Sequence, residues 1–117
     1  MKNLFIIDDD ELIHEMVSFS LAPLENRMML RFFQELGPFE NTDPPDIILS
    51  DLRLRNSKGE DTLKKIRSLF PSVPLIVMSG VEPLELEKWR SDYALAAFIL
   101  KDDLLHRLKS IIDSIGN

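Results

Sequence analysis

Four short apolar runs, each ending at or beside a polar or charged residue, constrain this chain more than any other feature of its sequence. They occupy residues 4–7, 47–49, 75–78 and 95–100 and are built from Leu, Ile, Phe, Val, Met and Ala. Each is too short for a helix of normal length and reads as a strand buried on both faces. Residues 28–33 are a weaker fifth candidate, because Arg31 interrupts an otherwise apolar run. Between the runs the spacing turns helical. Residues 11–24 carry Leu12, Ile13, Met16, Val17 and Leu21 on one face, with Asp10 as N-cap and Pro23 near the end. Residues 60–70 align Leu63, Ile66 and Phe70 before Pro71. Residues 83–90 open with a proline in the first turn. Residues 104–115 repeat Leu104, Leu105, Leu108, Ile111, Ile112 and Ile115, with Gly116 as a stop. The stretch 34–45 contains Gly37-Pro38 and Pro44-Pro45, so a second helix there is short or irregular. Strands alternating with helices imply a parallel sheet covered on both faces, and right-handed crossovers make it a doubly wound α/β domain.

Composition narrows the function. A chain of 117 residues supports one hydrophobic core and reads as a single domain over 1–117. Twenty acidic against 14 basic residues leave a net charge of −6, which disfavours nonspecific binding to nucleic acid or an anionic membrane. The chain contains no cysteine, so disulfides, thiolate metal sites and Cys nucleophiles are excluded. Its longest apolar stretch, residues 93–100, is far shorter than the roughly 20 residues that span a bilayer. The apolar start at residues 3–7 runs into Asp8, Asp9 and Asp10, unlike a secretory signal. The expectation is a cytoplasmic domain without a membrane partner.

The residues at the end of each run carry the chemistry. The first run ends at Asp8-Asp9-Asp10, the second, after Ser50, at Asp51, the third at Ser79-Gly80 and the fourth at Lys101. Ligand crevices of open parallel sheets lie beyond the C-terminal ends of the strands. Carboxylates, a hydroxyl and an ammonium from distant parts of the chain therefore converge on one edge. Clustered carboxylates repel unless a cation joins them. Oxygen-only ligation suits a hard ion such as Mg²⁺. Asp51 then has the chemistry of a nucleophile that forms an acyl phosphate, with Lys101 and Ser79 holding phosphoryl oxygens.

These motifs, together with Pro45-Asp46-Ile47-Ile48-Leu49-Ser50-Asp51-Leu52, Met78-Ser79-Gly80, Phe98-Ile99-Leu100-Lys101 and Gly59 eight residues past Asp51, resemble the receiver domains of two-component response regulators over essentially the whole chain. The resemblance implies a five-stranded, flavodoxin-like sheet of order 2-1-3-4-5. It implies that Asp51 accepts a phosphoryl group from a histidine kinase or a histidine phosphotransfer protein. Asp9 and Asp51 would be direct Mg²⁺ ligands, with Asp8 holding the ion and the backbone carbonyl of Arg53 completing the set. Ser79 and Phe98 would be the switch residues, and the face of helix 4, strand 5 and helix 5 the readout and homodimer surface. Such a domain is not an enzyme beyond promoting its own phosphorylation and dephosphorylation, and it does not itself bind nucleic acid.

Several positions depart from the family pattern. Asp102 follows Lys101 where many receivers have a cis-proline, and a cis bond before a non-proline residue costs about 3 kcal/mol, so the loop must hold strain or be repositioned. Arg55 replaces a common proline, and Ala94 and Ala97 stand where glycines are frequent. These departures keep open a pseudo-receiver, a protein-interaction module independent of phosphate. Asp10 reads as a helix cap, Asp46 as a structural turn, Met28 and Met29 as strand core, and His14 and His106 as surface positions without partners.

Overall fold

The apolar runs do form strands, and they pair in parallel. The computed structural model describes residues 1–39 and 42–116. In it β1 (Lys2–Ile7), β2 (Met28–Phe33) and β3 (Ile47–Asp51) are followed by a small antiparallel hairpin, β4 (Arg53–Leu54) and β5 (Ser57–Lys58), and then by β6 (Leu75–Ser79) and β7 (Leu95–Leu100). The main sheet has the order β2-β1-β3-β6-β7. With the hairpin set aside this is the expected flavodoxin-like order. β1, β3 and β6, flanked on both sides, are buried almost throughout, whereas the edge strands β2 and β7 are only partly covered. Arg31 fits β2 because that edge position is exposed. Its neighbours Met28 and Met29 divide accordingly: Met28 is core, while Met29 is 43% exposed.

α1 (Glu11–Leu21) starts at Asp10, whose carboxylate accepts the Leu12 amide at 2.9 Å, and runs into a 3₁₀ turn (Ala22–Leu24) that contains Pro23. α2 (Glu60–Leu69), α3 (Leu86–Asp92) and α4 (Leu104–Gly116) complete the set. The helix boundaries shift by one to three residues from the sequence reading. Pro83 lies in a turn ahead of α3, its carbonyl accepting the Leu86 amide at 3.2 Å. α4 includes Gly116 instead of stopping before it.

Alternate residues of each strand supply opposite faces. Leu4, Ile6, Leu49 and Met78 pack under α1 and α4 against Val17, Leu21, Leu108 and Ile112. Phe5, Ile7, Ile48 and Val77 pack against Leu63 and Ile66 of α2 and Leu86 of α3. Helices thus cover both faces. In the second crossover, residues 34–39 and 42–46 form no helix. Aromatic rings cover the sheet there instead. Phe5 meets Phe33 at 4.8 Å, Phe39 at 5.4 Å and Phe70 at 6.0 Å between ring centroids, and Phe33 meets Phe39 at 4.8 Å. At the base of the sheet Asp46 has the expected structural role: its Oδ2 accepts the Asn3 amide, and its own amide donates to the Asn3 carbonyl, both at 2.7 Å.

Candidate functional site

Strand register brings the chemistry together. Ile7 lies opposite Ser50, Asp51 opposite Met78, and Ser79 opposite Leu100. Asp8, Asp51, Ser79 and Lys101 therefore reach the C-terminal edge of the sheet side by side, although 93 positions separate the first from the last. Asp8 is fully buried, and its Oδ1 accepts the Asp10 amide at 2.8 Å. Its Oδ2 lies 3.0 Å from Lys101 Nζ, in ion-pair contact but without hydrogen-bond geometry. Lys101 Nζ donates a 2.9 Å hydrogen bond to Asp51 Oδ2, and Asp51 Oδ1 accepts the Arg53 amide at 3.2 Å. One carboxylate oxygen from each of Asp8, Asp9 and Asp51 falls within 4.8 Å of the others.

The cluster is electrostatically unbalanced, with three carboxylates facing one ammonium. Burial raises the Asp8 carboxyl above its ordinary value, and the neighbouring Asp51 charge adds to this; the Asp10 amide and Lys101 oppose it without cancelling it. Burial alone would lower the Lys101 ammonium, but its hydrogen bond to Asp51 and its ion pair with Asp8 prevail and hold it above its ordinary value. This chemistry fits a hard divalent cation: the donors are all oxygen, they are mutually close, and Asp8 Oδ2 is buried without a hydrogen-bond donor.

The remaining expected residues are placed around this core. Ser79 ends β6, partly exposed. Phe98 is half-buried in β7 and packs on the same core face as Trp89 and Tyr93. The Arg53 backbone starts the hairpin beside Asp51, with its side chain exposed.

The family model of the response regulator receiver domain matches residues 4–113. The chain belongs to that family. It is the receiver domain of a two-component response regulator. Among curated proteins it is 28% identical over 86 residues to the DNA-binding transcriptional regulator NtrC of Proteus hauseri. That match covers 71% of this chain but only 18% of the relative's length. Among solved structures it resembles the response regulator RcsB of Salmonella typhimurium, with a TM-score of 0.83 at 19% identity over 98% of this chain and 59% of the other. It also resembles the phosphorylated cyanobacterial phytochrome response regulator RcpA, with a TM-score of 0.79 at 21% identity, covering 96% and 91% of the two chains.

The receiver accommodates its departures locally. After Lys101 the chain enters a 3₁₀ turn (Lys101–Asp103), and the cis peptide among the described residues is Gly37-Pro38, not Lys101-Asp102. Repositioning of the loop is the outcome. Ala94 adopts φ +50° where a glycine is frequent, a conformation costly for a residue with a Cβ. Arg67 Nη2 donates to its carbonyl at 3.0 Å, while the other guanidinium nitrogens donate to the carbonyls of Tyr93, Phe70 and Val73.

His14 corrects the sequence reading. It is half-buried, its Nε2 lies 2.7 Å from the Asp8 carbonyl, and its ring packs on Phe32 with centroids 5.0 Å apart. A carbonyl can only accept, so Nε2 donates, helping to fix the backbone of Asp8. The visible signal was its position four residues after the Asp10 cap, on the helical turn facing the acid triplet. His106 is exposed, as expected. Thr62 was also missed. Buried in the first turn of α2, its Oγ1 lies 3.1 Å from both the Leu52 carbonyl and Ser57 Oγ. Gly59, at φ +59° and ψ −131°, caps that helix in a conformation suited to glycine and donates its amide to the Leu52 carbonyl at 2.8 Å.

Proposed function

We propose that Asp51 is the phosphoacceptor of this receiver, with a histidine kinase or histidine phosphotransfer protein as donor and Mg²⁺ as the required cation. The observation that carries this reading is the juxtaposition of Asp51 with Asp8, Asp9 and the Lys101 ammonium at the strand ends. Asp8, Asp9, Asp51 and the Arg53 carbonyl would hold the ion. Bound there, Mg²⁺ supplies charge neutralisation at phosphoryl oxygens.

In the transfer, an Asp51 carboxylate oxygen attacks phosphorus. The new P–O bond forms as the donor's P–N bond breaks, and the imidazole departs with the bonding electron pair and is protonated by solvent. Lys101, already paired with Asp51 and Asp8, exchanges one carboxylate contact for a phosphoryl oxygen, and the Ser79 hydroxyl donates to another. Phe98 then turns inward behind Ser79. With no helix in the described part of the second crossover, the family's readout face corresponds here to α3, β7 and α4. That face is where the switch, and a homodimer, would be read. The domain acts only on itself and is not an enzyme for other substrates. Its net charge of −6 supports a protein partner over direct nucleic-acid binding, and a cytoplasmic location goes with this reading.

Intact mass after incubation with acetyl phosphate and Mg²⁺ tests the reading. The wild type gains one phosphoryl group and Asp51→Ala gains none. A wild type that gains no mass, and whose Trp89 fluorescence is unmoved by beryllofluoride, is instead a phosphate-independent interaction module.

A further inference from the structure

The acid triplet lies in a stretch without regular structure of its own. Residues 8–10 link the end of β1 to the start of α1. Such a link keeps two carboxylates at a fixed spacing only where its peptides are tied down. Asp8 shows how this is done. Its amide donates to the Phe33 carbonyl at 2.9 Å, its Oδ1 accepts the Asp10 amide at 2.8 Å, and its carbonyl accepts from His14 Nε2 at 2.7 Å. Every polar group of Asp8 but one is thereby occupied. The exception is Oδ2, buried without a hydrogen-bond donor and 3.0 Å from Lys101 Nζ.

The tie from His14 differs from the other two, because another residue's side chain supplies it. The carbonyl that it holds belongs to the peptide joining Asp8 to Asp9. A peptide is planar, so fixing that plane fixes where both side chains leave the backbone. The donor is itself held. His14 lies one turn beyond the Asp10 cap of α1, and its amide donates to the Asp10 carbonyl at 3.4 Å. Its ring rests on Phe32, with centroids 5.0 Å apart, and Phe32 stands opposite Ile6 in the sheet, two residues before Asp8. Nε2 carries a proton in the imidazolium and in one neutral tautomer, so the tie does not depend on the charge of the ring.

We propose that His14 is a positioning residue for the cation: its Nε2–H sets the Asp8–Asp9 peptide, and through it the spacing of the two carboxylates, so that Mg²⁺ meets ligands already in place. The inference rests on the reading that Asp8, Asp9 and Asp51 hold Mg²⁺, and adds to it a residue that does not touch the ion. Ligands set beforehand lose less conformational freedom on binding. Outer partners that orient metal ligands typically contribute roughly 10–100-fold to affinity.

The test titrates Mg²⁺ alone into the metal-free protein and reads its Kd from the NMR shifts of the Asp9 and Arg53 amides. The wild type is compared with two variants. His14→Leu keeps apolar packing on Phe32 but has no donor, whereas His14→Gln keeps an N–H donor at a similar reach. His14→Leu should bind Mg²⁺ roughly 10-fold more weakly, and His14→Gln should stay close to the wild type. A loss shared by both variants overturns the inference, because the ring and not its donor would then be responsible. A second measurement needs no variant. Long-range proton–nitrogen correlations of the wild-type imidazole, at a pH where the ring is neutral, should place its proton on Nε2; a proton on Nδ1 overturns the inference. A wild type whose site amides do not respond to Mg²⁺ removes the metal reading and this inference together. Mg²⁺ bound equally tightly by the wild type and His14→Leu, whatever their Tm values, removes the inference alone and leaves His14 a structural residue.

Discussion

The body and the C-terminal end of each central strand obey different physics, although they are one residue apart. Phe5, Ile6 and Ile7 are fully buried among apolar neighbours, and so is Asp8, the next residue, among charges. In the strand bodies, burial and stability point the same way. At the ends they oppose each other, because burying Asp8 and Asp51 beside the partly buried Asp9 is unfavourable until cations join them. The difference shows where this receiver holds its stability and where it gives some up to keep a reactive site. Deleting an apolar group from a strand body should therefore destabilise the fold, whereas neutralising a buried carboxylate at a strand end should stabilise it.

The largest effect belongs to the body. Phe5→Ala removes the ring that joins Phe33, Phe39 and Phe70 over the helix-free crossover, and should destabilise the fold by about 3–5 kcal/mol in chemical denaturation. At the ends, Lys101→Met strips the carboxylates of their ammonium and should cost about 2–3 kcal/mol in the metal-free protein. That lies below the roughly 3–5 kcal/mol of fully buried pairs, because the Lys101 side chain is 22% exposed. Lys101 titrates higher when folded than when unfolded, so its contribution is complete at neutral pH and is lost as pH rises through the folded value.

Asp8→Asn should go the other way. The Asp8 carboxyl is raised from 3.8 in the fold, so protonation favours folding: its contribution is present below 3.8 and is lost as pH rises through the folded value. At neutral pH the charge thus opposes folding. The amide variant, which retains an acceptor for the Asp10 amide, should be more stable by roughly 1 kcal/mol without metal. Thermal melts from pH 7 downward check the sign, since the advantage must shrink as pH falls. Equal melts at all pH values would show that the site is not strained by its charges. The smallest effect is expected at Ala94, where Ala94→Gly relieves a left-handed alanine but adds chain entropy, for a net gain of about 0.5 kcal/mol.

The same boundary explains what could be read from the sequence. Strand bodies buried on both faces leave unbroken apolar runs, so the parallel sheet was legible, while its strand order followed from the family resemblance. The site was legible because its residue types sit immediately after those runs. The weak strand, β2, was weak because an edge strand with exposed Arg31 and Met29 loses its apolar pattern. The hairpin escaped notice because two-residue strands are defined only by pairing across a turn. The aromatic cover depends on rings that meet across the fold, with Phe5 and Phe70 65 positions apart. His14, Thr62 and Arg67 act through main-chain carbonyls. Such bonds leave no signature in side-chain spacing.

The central claim is that Asp51 carries the phosphoryl group. Borohydride reduction of the acetyl phosphate-treated protein, with peptide mass mapping afterwards, locates an acyl phosphate by converting its carbonyl to an alcohol. The account predicts the reduced residue at Asp51 alone, dependent on Mg²⁺. Reduction at Asp8 or Asp9, or at no carboxylate in a protein that has gained phosphoryl mass, would contradict it.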